Sequence, residues 1–344
     1  MSSYLQGRTQ CVVIGSKKSY MVDVKYGFPQ GSVLGGKKFI MYATPLGNVI
    51  VLQDVVHECY ADDTQKYISF KLKDADALNS ALTQMKQCFQ EVQNWMSANI
   101  LKLNNDKTKM IIFAPQQHLN QFADVELHLD GAPVITPKQS VKNLGVMFDS
   151  TMSMKIQVNF ITKSCYYHLR RVRKIRRYLT EDATKSLVNA YITSRLDYRY
   201  ALLAGLPLYL MKKLQRVQNC AARLVKQIPF KSSITKHLKN LHWLPVTERI
   251  KFKILLIVYK SLNNLAPQYL KTMFHFYRPT RVLRSSTKGV LVVKRHRTRY
   301  GACAISKYGA VLWNDLPYNI RNTETLVQFK SLLKTHLFQK VYNF

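Results

Sequence analysis

The sequence has no cysteines at C-x-x-C spacing and no cysteine–histidine cluster, although it contains Cys11, Cys59, Cys88, Cys165, Cys220 and Cys303. Scattered thiols exclude a disulfide framework and a zinc finger. They point to a reducing compartment, nuclear or cytoplasmic, with no disulfide-linked partner. Long apolar runs are missing too. The longest, Ile254 to Tyr259, is far short of the ~20 residues that cross a bilayer, and Met1-Ser2-Ser3-Tyr4-Leu5-Gln6-Gly7-Arg8 contains no signal-peptide core. No membrane is expected as a partner. Internal repeats and low-complexity tracts are absent. Acidic residues are scarce, but only in one part of the chain.

The 344 residues carry a net charge of +33. Residues 1–149 hold 15 Lys and Arg against 13 Asp and Glu, whereas residues 150–344 hold 37 against 6, a balance of +31. Positive charge at that density repels itself, and its usual counterpart is a polyanion. An anionic membrane surface is the competing partner, but no basic amphipathic anchor is evident. Nucleic acid is the favoured one. Solubility alone is ordinarily met by charges of mixed sign.

Texture changes near residue 150 as well. Before it, Thr9–Gly15 and Ser19–Tyr26 read as strands joined by a Ser/Lys turn, and the apolar stretch Val33–Ile50 reads as helix with its own loop. Val55–Cys59 and Thr64–Leu72 are further strands. Leu78, Leu82, Met85, Phe89, Val92 and Met96 recur every four and three residues, which predicts a helix over 74–99. Lys109–Phe113, Val125–Leu129, Val134–Thr136 and Val141–Phe148 read as strands. After residue 150, helices are predicted over 154–177, 181–196, 207–228, 246–263 and about 327–338. With 47% apolar residues the chain can bury a sizeable core. The fold class is α+β.

Between two of the strands lies Tyr60-Ala61-Asp62-Asp63. Adjacent carboxylates repel each other and gain nothing structurally unless a cation joins them. Mg²⁺ suits such a pair, because it takes few protein carboxylates and leaves positions for water and phosphate. The alternative is an Asp-Asp turn that merely solvates a hairpin.

The surrounding motifs resemble those of one family. Tyr60-Ala61-Asp62-Asp63-Thr64-Gln65 looks like the Y/F-A-D-D box of reverse transcriptases, in the form used by LINE-type (non-LTR, CR1/L2-like) retrotransposons. Gly27-Phe28-Pro29-Gln30-Gly31-Ser32-Val33-Leu34-Gly35 resembles their G-x-P-Q-G-S loop, and Leu103-Asn104-Asn105-Asp106-Lys107-Thr108-Lys109 their L-N-x-x-K-T segment. Asn143-Leu144-Gly145-Val146 resembles the primer grip. Further on, Ser194-Arg195-Leu196-Asp197-Tyr198, Ala204-Gly205-Leu206-Pro207, the run from Lys213 to Asn219, Leu241-His242-Trp243-Leu244-Pro245 and Leu312-Trp313-Asn314-Asp315-Leu316-Pro317 look like thumb and tail segments of these elements.

The resemblance implies an RNA-directed DNA polymerase, a nucleotidyltransferase acting on an RNA template and a DNA primer. Its expected organisation is a partial palm of antiparallel sheet with helices over 1–149, a helical thumb over 150–235 and a basic C-terminal region over 236–344. Asp62 and Asp63 would hold Mg²⁺ and Lys107 would assist the triphosphate. Pro29, Gln30, Gly31 and Tyr60 would bind substrate, and Leu144 and Gly145 would form the primer grip.

The family also has a third metal-binding carboxylate on a strand well before the P-Q-G loop. Here only 26 residues precede Gly27, and their one acid, Asp23, sits on the strand running directly into that loop. A truncated element with a weakened metal site, inactive alone, is therefore expected. The alternatives are a non-catalytic nucleic-acid-binding protein derived from a retroelement, or a relic reading frame without a stable product. Where the family has Pro-Leu-Leu the chain reads Gly36-Lys37-Lys38, and Phe28 and Lys66 replace smaller or apolar residues.

The basic part of the chain carries its own pattern. On the helix over 207–228, Leu210, Leu214, Val217, Ala221, Leu224 and Ile228 share one side, while Lys212, Arg216, Arg223 and Lys226 share another. This predicts a cationic ridge for phosphates, or a solvated face. Lys163, Arg170, Arg171, Arg173, Lys174, Arg176 and Arg177 form a second cluster with no acid among them, and its part from Arg171 to Arg177 equally suits a nuclear import signal. A third runs from Arg278 to Arg299. His168, His237, His242 and His296 have no companion at ligand spacing.

Overall fold

The computed structural model describes residues 6–25, 27, 31–72, 74–130, 133–278 and 289–342. They form two compact units, one of residues 1–110 with 121–137 and one of residues 111–120 with 138–344.

The first unit begins with a single hairpin. β1 (Thr9–Gln10) pairs with β4 (Val22–Asp23), and β2 (Val13–Ile14) pairs with β3 (Lys17–Lys18) around a turn at Gly15. Two short helices follow, α1 (Gly35–Ala43) and α2 (Pro45–Val51), where the sequence predicts helix with a loop of its own. Pro45 suits the first turn of α2, where its missing N–H is unused. β5 (Val56–Tyr60) and β6 (Asp63–Tyr67) form the next hairpin. α3 (Ala75–Ala98) matches the periodicity, and the Asp74 carboxylate caps its first turn by accepting from the N–H groups of Asp76 and Ala77. Leu46, Ile50, Val55, Cys88 and Val92 make one small core, and Phe89, Leu127, Leu129 and Ile135 another.

Three predicted strands are corrected. Lys109–Phe113, Val125–Leu129 and Val134–Thr136 are extended chain joined only by single bridges, Met110 to Pro137 and Leu127 to Ile135. Their side chains fill a core, but no ladder continues past one residue. Val141–Phe148 is likewise not one strand. It folds back as β7 (Ser140–Asn143) and β8 (Val146–Asp149). Leu144 and Gly145, both at positive φ, make the two-residue turn whose twist matches that of the flanking strands.

The second unit is helical beyond β8. Asp149 terminates the hairpin and prepares the next helix, accepting from the Thr151 hydroxyl at 2.6 Å and the Ser153 N–H at 2.8 Å. Burial alone would raise its carboxyl, but these hydrogen bonds outweigh it and hold the group below the usual range. Then come α4 (Lys155–Ile175) and α5 (Glu181–Val188), which continues through a π-helical turn at Asn189–Thr193 into α6 (Ser194–Asp197). After these follow α7 (Leu208–Lys226), α8 (Thr235–Asn240), α9 (Val246–Leu262) and α10 (Gln268–Lys271). The chain closes with α11 (Arg299–Cys303), α12 (Ile305–Asn314), α13 (Tyr318–Arg321) and α14 (Leu326–Tyr342). One continuous core runs from Val158 on α4 to Leu337 on α14.

Candidate metal centre and nucleic-acid interface

The β5–β6 hairpin is fastened at its base and free at its tip. Val55 is buried between α2 and α3, and Ile68 packs on the same core. Gln84 of α3 donates to the carbonyls of Gln53 and Asp54, holding the residues that lead into β5. Gly47 of α2 leaves room for His57: a Cβ there would meet its Nε2 at 3.0 Å. Lys66 lays its ammonium 4.5 Å from the centre of the Phe89 ring, and burial lowers its pKa.

At the tip, Tyr60 pairs with Asp63, so the turn is only Ala61-Asp62. This shifts the strand ends from the sequence reading: Tyr60 and Asp63 belong to the ladder and Asp62 to the turn. Beyond Tyr67, which lies opposite Val56, β6 has no partner and ends. Ala61 has φ of 54°, a conformation that disfavours a Cβ by about 1–2 kcal/mol. Tyr60, Asp62 and Asp63 are exposed, and neither carboxylate has a hydrogen-bond or ion-pair partner among the described residues. Two unpartnered carboxylates one residue apart on a well-anchored hairpin are a donor set that fits a divalent cation. No group of three or more His, Cys, Asp or Glu side chains is gathered among the described residues.

Lys107 ends a short 3₁₀ turn, Asn105–Lys107, whose start is capped by Asn104, and its side chain is exposed. Pro29 and Gln30 lie outside the described residues. Gly31 has φ of 78°, and the next residue, Ser32, accepts from the Gly35 N–H to start α1.

Leu144 and Gly145 belong to the second unit. The Tyr198 hydroxyl donates to the Leu144 carbonyl at 2.6 Å, and a Cβ on Gly145 would meet the Tyr198 ring at 3.3 Å. Just past the turn β8 is fixed to α4, where the Met147 N–H donates to the buried Gln157 at 2.9 Å. Gly145→Ala is expected to destabilise the unit by about 2 kcal/mol, through the positive φ of 81° and the displaced Tyr198 ring. Thermal unfolding measures this; an unchanged midpoint would show that the turn yields freely.

The eight cationic candidates divide. Arg170, Arg171, Arg173 and Lys174 are exposed along α4, and Arg171 donates to the Tyr167 hydroxyl. Lys212 and Arg216 are exposed on α7. Lys226 is ion-paired with Glu181, and Arg223 donates to the Ser232 carbonyl and covers the Phe230 ring at 5.2 Å. The ridge expected on α7 therefore presents Lys212 and Arg216 outward while its C-terminal members are engaged within the fold. The apolar side matches the wheel: Leu210, Leu214, Val217, Ala221 and Leu224 are buried.

Residues 2–148 match the family described as reverse transcriptase (RNA-dependent DNA polymerase). The matched stretch is less than half of the chain. The chain is 26% identical over 178 residues to a probable RNA-directed DNA polymerase from transposon BS of Drosophila melanogaster, covering 50% of this chain and 19% of that protein. It is 28% identical over 171 residues to the RNA-directed DNA polymerase from the mobile element jockey of the same organism, covering 48% and 17%. These relatives agree with the non-LTR retrotransposon origin that the motifs imply. The chain spans less than a fifth of the length of these curated relatives. No solved structure matches. No helix among the described residues is long and apolar enough to cross a membrane.

Several residues that organise the second unit have roles that the sequence did not show. Arg176 reads there as one more cation of a basic cluster, yet it donates to the carbonyls of Leu224, Val225 and Leu179, closing the C-terminal end of α7. Asp197 takes both Nε and Nη2 of Arg249, at 2.6 and 2.7 Å. Both aspartate and arginine stand in ordinary helical stretches, so spacing carries no signal of their pairing. Buried Cys165 is pushed up to about 12 by desolvation and is no nucleophile.

Proposed function

We propose that this reverse transcriptase segment grips an RNA template and DNA primer through the backbone-reading cations of its second unit, with Asp62 and Asp63 as its magnesium-holding carboxylates. The observation that carries the reading is the charge of residues 150–344, 37 basic against 6 acidic. Among the described residues of that region Lys226, Arg249, Lys251 and Lys253 are ion-paired, while the cations of α4 and Lys212 and Arg216 of α7 are exposed. Contacts of this kind go to phosphates, and they position a duplex without reading its sequence. Bound Mg²⁺ would supply charge neutralisation at the phosphates, Lys107 would add a further cation for the triphosphate, and Leu144 and Gly145 would support the primer strand.

Binding to an RNA–DNA duplex is expected to be sequence-tolerant and to weaken about 10³- to 10⁵-fold between 50 and 200 mM salt if six to ten phosphates are contacted. Affinity that stays flat over that range would sink the reading. In primer extension on an RNA template with Mg²⁺ or Mn²⁺, the 344 residues alone are expected to stay at background, because a pair of carboxylates without a third holds the ions weakly. Extension above background that vanishes in Asp62→Ala would overturn that expectation and leave the metal assignment standing.

A further inference from the structure

We propose that the groove between the C-terminal ends of α4 and α7 is a site for one nucleotide of a single strand, its base on Phe230 and its phosphate between Arg173 and Arg223. The proposal rests on the nucleic-acid reading above and adds a single-stranded subsite to it. The groove has a volume of about 360 Å³ and is lined by Arg173, Arg176, Arg223, Gln227, Ile228 and Phe230 among others, with no acidic side chain. That volume lies at the low end of the ~300–1,000 Å³ of small-molecule sites, enough for one nucleotide and too small for a duplex.

Three observations point to a ligand. Phe230 leaves 81% of its surface exposed on the loop after α7, presenting ring surface on which a base can stack. Arg223 already lies over one part of that ring, and its Nε is buried without a hydrogen-bond partner. A buried guanidinium N–H left unpaired costs free energy that an anion would recover. The third observation is Arg176. The C-terminus of a helix carries partial negative charge that repels an anion. Here Arg176 donates to the Leu224 and Val225 carbonyls at the end of α7, offsetting that repulsion at the floor of the groove. An exposed ring beside guanidinium groups is the combination that holds single strands without base readout.

The test compares a fluorescein-labelled single-stranded RNA with an RNA–DNA duplex of the same length, by anisotropy, on the full chain. Phe230→Ala is expected to weaken single-strand binding about 5- to 100-fold and to leave duplex binding unchanged, while Phe230→Trp retains the wild-type affinity. Because Phe230 is exposed, the substitution leaves the thermal midpoint in place. Arg223→Ala is expected to lower the salt slope for the single strand by about one. Wild-type affinity of Phe230→Ala for single strands would overturn the proposal, as would an equal loss on the duplex. Failure of the wild-type chain to bind either probe would instead remove the broader reading, and this one with it.

Discussion

Phe329→Ala is expected to destabilise the second unit by about 3–5 kcal/mol, enough to leave a marginal domain largely unfolded. The ring is fully buried and stacks on Tyr259 of α9 at 4.2 Å, with Trp313 of α12 5.9 Å away. Three elements distant in sequence therefore meet on one side chain, and deleting it leaves a cavity that none of them can close alone. The surrounding polar groups are tied to the same point: the Tyr259 hydroxyl donates to the Thr323 carbonyl, and the Trp313 indole donates to the Gly289 carbonyl. Because the core runs without a break from Val158 to Leu337, urea unfolding is expected to show one transition for the wild-type unit, shifted as a whole in the variant. Val327→Ala on the same helix is the control. Val327 is 78% exposed, and its loss is expected to change stability by less than about 0.5 kcal/mol. A Phe329→Ala shift no larger than the control's would mean that α14 is not part of the core.

Helices were the most legible part of the sequence, because an apolar stripe at helical spacing is a local signal that burial then rewards. α3, α4, α7, α9 and α14 fall where the periodicity puts them. The short helices α8, α10, α11 and α13 are too brief to show a period and were not anticipated. Strands were read less well. Alternating apolar residues announce a buried face, which Leu127 and Ile135 indeed have, but not whether a partner runs alongside for more than one residue. The Leu144-Gly145 turn could have been read from its glycine, since a two-residue turn with positive φ at both positions favours glycine; the apolar run from Val141 to Phe148 concealed it.

The tail motifs were visible as a resemblance but not as physics. Gln218 donates to the Leu244 carbonyl and Gln215 accepts from the Val246 N–H, so the Lys213–Asn219 run and the Leu241–Pro245 segment are two halves of one hydrogen-bonded joint. Asn314 exchanges two hydrogen bonds with the backbone of Leu291, which places the Trp313-Asn314 pair beside an extended segment the sequence did not connect to it. The aspartate pair was the reverse case. Its residue types raise the possibility of a cation site, while the register that puts Asp62 in the turn and Asp63 in the ladder depends on the hairpin's length.

Asp197→Ala is expected to cost about 2–3 kcal/mol, less than the ~3–5 kcal/mol of breaking a fully buried pair because the carboxylate keeps 18% and Arg249 27% of its side-chain exposure. The loss has three parts. The bidentate bond to Arg249 disappears, Lys253 at 3.3 Å loses its counter-charge, and two like charges on α9 are left facing each other across one turn. The neighbours of Asp197 explain why the cost extends beyond one pair. Arg195 donates to Ser164 of α4, Leu196 enters the core, and Tyr198 holds the Leu144 carbonyl at the β7–β8 turn. Four consecutive residues thus tie α4, α9 and the hairpin together. Asp197→Ala combined with Arg249→Met should recover part of the loss, and the cycle of single and double variants gives the coupling, expected above 1 kcal/mol. Binding separates this role from a direct contact. Removing an acid raises the positive charge by one, so the folded variant at low temperature should bind an RNA–DNA duplex as well as the wild type or slightly better. A variant that kept its thermal midpoint but bound the duplex more weakly would place Asp197 against the nucleic acid instead of beneath the turn that supports it.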